Sequence, residues 1–175
     1  MLASTHTVYQ NINTAQGATV KIIIILVTAL FVSMTASADN FTTAIPLIEK
    51  GTSTFYVSAS IGNSQFDLLV DTGAGYTALN KSLIDELKAS GHARQTGIVE
   101  GIMANGAIYE LPVYEITTLN IGGCIIRDFE AAEMPAGTRN LLGLSALRQT
   151  APFAFSLEPA ELRLSNCGAN LAQAN

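Results

Sequence analysis

The sequence predicts a mostly-β domain, closed into a small barrel and carrying one or two short helices. Three observations lead there. From Thr54 onward, short apolar runs of strand period are separated by turns rich in Gly and Asn. One segment, KSLIDELKAS, has helical spacing instead. Of the 175 residues, 49% are hydrophobic and 13% charged, the make-up of a packed core rather than a disordered chain.

The elements follow in order. TFYVSASI alternates large apolar with small polar residues, Asn63-Ser64 supplies a turn, and QFDLLV returns as the second strand of a hairpin ending at Asp71. Asn80 is placed to cap KSLIDELKAS, in which Leu83, Ile84 and Leu87 share a face, and Gly91 ends the helix as a left-handed cap. GIVEGIMANGAIYELPVYEITTLNIGG holds two strand-like runs around Ala104-Asn105-Gly106, because Asn-Gly tolerates the positive φ of a tight turn. VYEITTLNI and CIIRDFEAAE are joined by Gly122-Gly123 as a further hairpin. NLLGLSALRQ reads as an apolar strand entering a short helix at Gly143, and FAFSLEPAELRLS as a last hairpin around Pro159-Ala160.

The N-terminal segment has another character. Lys21 precedes IIIILVTALFV (Ile22 to Val32), and Ala36-Ser37-Ala38 follows just before Asp39. A positive residue, a short apolar run and a small-x-small site read as a secretory signal peptide over residues 1–38, polar leader included. An uncleaved membrane anchor through Ile22–Val32 is the alternative, although spanning a bilayer takes roughly 20 apolar residues. Both place the remainder outside the cytoplasm, free in a periplasm or held at a membrane. Residues 39–53 then form a lead-in, 54–165 the domain proper, and 166–175 a flexible tail.

Several function classes are disfavoured. A net charge of -5 without a Lys/Arg cluster does not suit nucleic acid, whose phosphates need a basic face. Cys124 and Cys167 lack a CxxC spacing and a nearby histidine, so they do not suggest a metal site, and no cofactor is expected. They pair in an oxidising compartment, or remain one buried and one loose thiol; both readings stay open. Ser145 in GLSAL lacks the second glycine of a nucleophile elbow. His92, just after a helix end, reads as solvent-exposed.

LLVDTGAGYTALN, residues 68–80, is different. An apolar strand delivers one carboxylate, Asp71, into a turn flanked by Gly73 and Gly75, which lets the backbone fold tightly and leaves room for a substrate or another chain. Taken alone, the string also fits an aspartate that merely bonds its own turn.

The wider context resembles the aspartic proteases. DTGAGYTALN is similar to their active-site loop, and the short chain points to the retropepsin-like branch rather than the two-domain pepsins. A hairpin precedes the aspartate, the glycine-tipped IMANGAI follows where the flap would lie, and NLLGLSAL resembles the family's apolar pair, glycine and short helix. The likeness spans Phe55 to Ser165 and extends to bacterial exported or membrane-anchored single-domain members. It departs at Gly75 and Tyr76, where members usually carry Ser or Asp after DTGA.

The resemblance implies a closed retropepsin-like β-barrel acting as half of a two-fold dimer. It implies an aspartic endopeptidase with Asp71 as the catalytic acid, Thr72 and Gly73 supporting its loop, and Ala74, Ala104, Asn105 and Gly106 contacting a peptide or protein substrate. Thr72 would bond across the dimer axis, and Leu141 and Leu142 would pack beneath the loop. Carboxylate-driven peptide hydrolysis needs two acids. Asp67, Asp85 and Asp128 lie in strand, helix or hairpin contexts, so the partner is a second Asp71 in a homodimer. Ala74 lacks the hydroxyl that pepsins usually have there, which implies activity at mildly rather than strongly acidic pH. A non-catalytic peptide-binding module on the same fold is the competing reading.

Overall fold

The computed structural model describes residues 41–51, 53–103 and 105–167. The expected signal or anchor segment, and most of the expected tail, lie outside the described residues. The chain runs β1 (Thr43–Pro46), β2 (Ile48–Glu49), β3 (Phe55–Ile61), β4 (Ser64–Val70), β5 (Thr77–Asn80) and α1 (Lys81–Ala89). It continues through β6 (Ala93–Ile102), β7 (Ile108–Ile121), β8 (Cys124–Met134), β9 (Leu141–Leu142) and α2 (Leu144–Leu147). A 3-10 turn (Arg148–Thr150) leads into β10 (Phe153–Leu157) and β11 (Ala160–Leu164). The domain is mostly β, as the strand-period runs predict.

The larger sheet has the order β2-β3-β4-β9-β5-β8-β7-β6, and a smaller one has the order β1-β11-β10. Two further pairs, Ala59 with Ile121 and Ser60 with Asn120, join β3 to β7. Alternation decides which side chains enter the core. In β3, Val57, Ala59 and Ile61 are buried and Ser58 is exposed. Leu68, Leu119, Ile121 and Ile126 meet them from β4, β7 and β8.

Helix α1 forms as its sequence signals predict. The Asn80 side-chain oxygen accepts the Leu83 N–H at 3.0 Å, while Leu83, Ile84 and Leu87 are buried and Gly91 takes φ +76°. A helix of 9 residues is marginal alone. Burying these three side chains, at about 1.5–3 kcal/mol each, is what holds it.

Several local expectations need correction. The first hairpin turns at Gly62-Asn63, because Ser64 already pairs with Ile61. The last turns at Glu158-Pro159, because Ala160 already pairs with Leu157. The lead-in contains two strands, β1 on β11 and β2 on β3. His92 is half-buried rather than exposed, with Nδ1 3.0 Å from the Thr117 hydroxyl. Cys124 and Cys167 form a disulfide across a sequence separation of 43, so the chain directly after β11 is tied to the start of β8. Closing such a loop restricts the unfolded chain by roughly 4 kcal/mol on the loop-entropy model.

On the β3–β4 hairpin, the Asp67 carboxylate accepts hydrogen bonds from Lys50 Nζ at 2.5 Å and from Ser58 Oγ at 2.9 Å. The Lys50 hydrogen bond, against partial burial and with help from Ser58, holds the Asp67 carboxyl below its ordinary range. A depressed acid stabilises the fold above the unfolded-state value near pH 4 and loses that contribution as pH falls through the lowered folded value. The pair is solvent-accessible, so its worth is below about 1 kcal/mol. Asp67→Asn is expected to lower the urea midpoint slightly at neutral pH and to match wild type at about pH 2, measured by denaturation at both pH values.

Candidate active site

Asp71 stands directly after β4, where parallel pairing with β9 sets its backbone. Leu69 and Val70 lie opposite Leu141 and Leu142. The Leu69 N–H donates to the Asn140 carbonyl at 2.9 Å, and the Asp71 N–H to the Leu142 carbonyl at 3.1 Å. Leu142 is fully buried beneath the loop and Leu141 half-buried. Their expected supporting position is therefore the one the fold provides.

The turn closes on itself. The Gly73 N–H donates to Asp71 Oδ1 at 2.9 Å, and the Ala74 N–H to the Asp71 carbonyl at 3.3 Å. Asp71 is half-buried, while Thr72 and Gly73 are exposed. A carboxylate oxygen is thus oriented by a backbone donor at the edge of an open face, with the neighbouring peptide accessible.

The far side of the loop is fastened to the Leu-Leu-Gly segment. Leu144 donates its N–H to the Ala74 carbonyl at 2.9 Å. Buried Thr77 accepts the Gly143 N–H on Oγ1 at 3.2 Å, and its own N–H reaches Ser145 Oγ at 2.8 Å. Ser145 Oγ in turn donates to the Glu130 carbonyl at 2.6 Å. Thr77 and Ser145 are therefore loop-positioning residues that sequence reasoning missed. Their signal was present as hydroxyls in two otherwise apolar segments, but nothing local paired them.

Asp67 is engaged by Lys50 and Ser58, Asp85 lies 3.1 Å from Lys81 on α1, and Asp128 sits exposed in β8 with φ +47°. None occupies a turn like that of Asp71. The β6–β7 hairpin carries the other expected site residues. Asn105 Oδ1 accepts the Ala107 N–H at 3.0 Å, the Gly106 N–H reaches the Met103 carbonyl at 2.8 Å, and Gly106 has φ +81°. That φ suits glycine because it has no Cβ. Ala104 lies outside the described residues. Ile102 and Ile108 flank the tip, 72% and 60% exposed. The hairpin tip and the Asp71 loop are built by separate sets of hydrogen bonds.

A hollow of about 390 Å³ opens beside Gly75 and Tyr76, bounded also by Glu130, Ser145 and Arg148. Another, of about 510 Å³, lies between Ser58, Asp67 and Gly122 and does not include Asp71. Among the described residues no group of three or more His, Cys, Asp or Glu side chains is placed to hold a metal ion.

A family model described as "gag-polyprotein putative aspartyl protease" matches residues 57–149, from β3 to the 3-10 turn. The chain belongs to the retropepsin-like aspartic protease family. Its fold is similar to the crystal structure of a retropepsin-like aspartic protease from Rickettsia conorii, with a TM-score of 0.52. The likeness covers 70% of this chain and 90% of that one at 21% identity, which speaks for the fold alone. No curated protein matches the sequence.

Within this family segment, Gly143 is the most constrained glycine. A Cβ there would stand 2.1 Å from the Tyr76 carbonyl oxygen and 2.8 Å from the Thr77 nitrogen, both backbone atoms. Gly143→Ala must push the Asp71 loop away from β9. It is expected to cost at least about 1–3 kcal/mol, read as a lowered thermal midpoint.

Proposed function

We propose that the protein is an aspartic endopeptidase whose active centre forms when two copies bring their Asp71 carboxylates together. The observation that carries this is the Asp71-Thr72-Gly73 turn, in which Gly73 N–H holds Asp71 Oδ1 at 2.9 Å on an open face. Each chain supplies one such turn, and a two-fold axis places identical residues face to face. Thr72, exposed beside Asp71, is assigned to bonding across that axis.

Two carboxylates about 3 Å apart share one proton. The ionised one takes a proton from water, whose oxygen attacks the peptide carbonyl carbon, while the protonated one donates its proton to the carbonyl oxygen. The tetrahedral diol then collapses: the C–N bond breaks, the amine leaves with a proton, and a carboxylic acid remains. The substrate is a peptide held as an added strand between the Asp71 loop, with Ala74, and the hairpin tip of Ala104, Asn105 and Gly106. Exposed Ile102 and Ile108 offer apolar contact for its side chains.

The β3–β7 pairs support reading the larger sheet as a closed barrel. The Cys124–Cys167 disulfide supports placing the domain outside the cytoplasm, in a periplasm or anchored at a membrane through Ile22–Val32, because disulfides persist in oxidising compartments.

The test is cleavage of a diverse peptide mixture by the protein and its Asp71→Asn variant, across roughly pH 3 to 7, where a paired carboxylate site can hold one proton. Wild type is expected to cleave fastest at mildly acidic pH, with a rate rising faster than linearly in protein concentration. The variant is expected to fall by at least about a hundredfold. Peptide binding that survives Asp71→Asn, with no cleavage by folded wild type at any concentration, would establish a binding module instead.

A further inference from the structure

We infer that Asn105, at the tip of the β6–β7 hairpin, is a site of spontaneous covalent modification. Its side-chain amide is lost to a succinimide that reopens as aspartate or isoaspartate, which makes the tip anionic. The modification goes beyond the function proposed above and stands or falls without it.

Asn105-Gly106 is the one Asn-Gly step in the 175 residues. Ring closure needs a backbone nitrogen to reach Cγ of the asparagine before it, and a following glycine has no Cβ to obstruct that approach. Asn105 and Gly106 are both exposed, so water and hydroxide reach the peptide between them. Asn105 Oδ1 accepts the Ala107 N–H at 3.0 Å. That bond folds the side chain back over the intervening Gly106 peptide, and a donor on Oδ1 draws electrons from Cγ, the atom to be attacked. One contact works the other way. The Gly106 N–H donates to the Met103 carbonyl at 2.8 Å and must give up that bond before its nitrogen can attack. A single exposed bond at a hairpin tip opens readily, so its protection is partial.

The other described asparagines are each followed by a residue that has a side chain in the way and a backbone tied elsewhere. Ser64 begins β4, opposite Ile61. Lys81 begins α1, while Ile121 and Leu141 lie in β7 and β9. Cys167, after Asn166, is held by the disulfide. The tip of the β6–β7 hairpin is the place where an exposed asparagine meets an unobstructed nitrogen.

The steps balance with water as the co-reactant. The Gly106 nitrogen, its proton taken by hydroxide, bonds to Asn105 Cγ and closes a five-membered ring. The Cγ–Nδ2 bond breaks, and the amide leaves as ammonia after taking a proton from water. Water then adds to one of the two ring carbonyls. At Cγ it restores the original main chain with an aspartate. At the backbone carbonyl carbon it leaves isoaspartate, whose main chain is one methylene longer. Aspartate keeps Oδ1 as an acceptor for the Ala107 N–H. Isoaspartate displaces Gly106 and Ala107 relative to Met103 and so breaks two bonds of 2.8 Å, from Gly106 N–H to the Met103 carbonyl and from Met103 N–H to the Ala107 carbonyl. Both products add a negative charge, and such a change acts through its charged neighbours. Between Gln95 and Tyr114 the hairpin carries Glu100 opposite Glu110 and no Lys or Arg, so nothing in the hairpin offsets the new carboxylate.

The test ages the full-length chain in mild detergent at mildly alkaline pH and follows it by peptide mapping and by enzymatic methylation of isoaspartyl carboxylates. The peptide carrying Asn105-Gly106 should lose the mass of ammonia and then gain that of water, before any other asparagine peptide changes. Asn105→Gln keeps an amide but would need a six-membered ring, and it should show neither the mass shift nor the methylation. Aged wild type should exchange the amide hydrogens between Ile102 and Ile108 faster than fresh protein, with α1 unchanged, while Asn105→Asp should exchange like fresh wild type. On the protease reading, aged wild type should also need more peptide to reach half its maximal rate, and Asn105→Gln should not change with age. Conversion in the urea-unfolded chain but not in the folded one overturns the site, as does a folded chain that is modified first at another asparagine. Exchange that stays the same after conversion overturns the loosening of the hairpin. A fully converted protein whose peptide cleavage is unchanged supports the modification and overturns the role of the tip in holding substrate.

Discussion

The rest of the site depends on the pairing of the two-residue β9 with the strands on either side of it. Leu141 and Leu142 run parallel to the end of β4, and Leu141 also pairs with Ala78 of β5. One short segment therefore holds the strand entering the Asp71 loop and the strand leaving it. The loop closes against the next residues through the Gly143, Leu144 and Ser145 hydrogen bonds. An unmet backbone donor in a buried place costs about 1–3 kcal/mol, so each of these bonds penalises displacement of the loop. Strands position the backbone that carries the carboxylate, and the Gly73 N–H then orients its oxygen, so the group sits on rigid elements.

This constraint sets the limit of what was legible in the sequence. Hairpins and helix α1 were readable because their signals are local: Asn80 three residues before the N–H it caps, Leu83, Ile84 and Leu87 on one face, Asn105-Gly106 and Gly122-Gly123 at turns. Asp71 and the Leu-Leu-Gly segment were readable as motifs. The roles of Thr77 and Ser145 were not, because their bond joins residues 68 positions apart. Strand β1 was missed for the same reason, since Thr43 finds its partner at Leu164 and no turn signal marks that pairing. The Cys124–Cys167 bond stayed open because spacing alone does not bring two cysteines together.

The large apolar side chains that stay exposed also carry meaning. Among the described residues, and apart from Ile48, they fall in two groups: Ile98, Ile102, Ile108 and Tyr109 on the β6–β7 hairpin, and Phe155 and Leu157 on β10. Scattered single exposures need no explanation, but grouped ones mark contact surfaces. The first group lies on the hairpin whose tip is assigned to peptide binding, and the second lies on an outer strand of the small sheet. The elements that build the Asp71 loop, β4, β5 and β9, contribute none.

The ladders of the small sheet alone would leave it able to move independently of Asp71. Four separate links prevent that. The Leu47 N–H bonds Ala160 between β1 and β2, and Ser165 N–H bonds the Thr150 carbonyl below α2. Phe155 packs on Phe55, and the disulfide holds the chain after β11 to β8. These links reach the rest of the domain at different places, the β1–β2 connection, the 3-10 turn, β3 and β8, so rotation about any one is resisted by the others. A shared-proton pair demands that two carboxylates meet within about 3 Å, a tolerance far smaller than the freedom of an unsupported hairpin. The disulfide belongs to the same set of ties: it fixes the chain after β11 to β8, the strand that pairs with β5 just beyond the Asp71 loop.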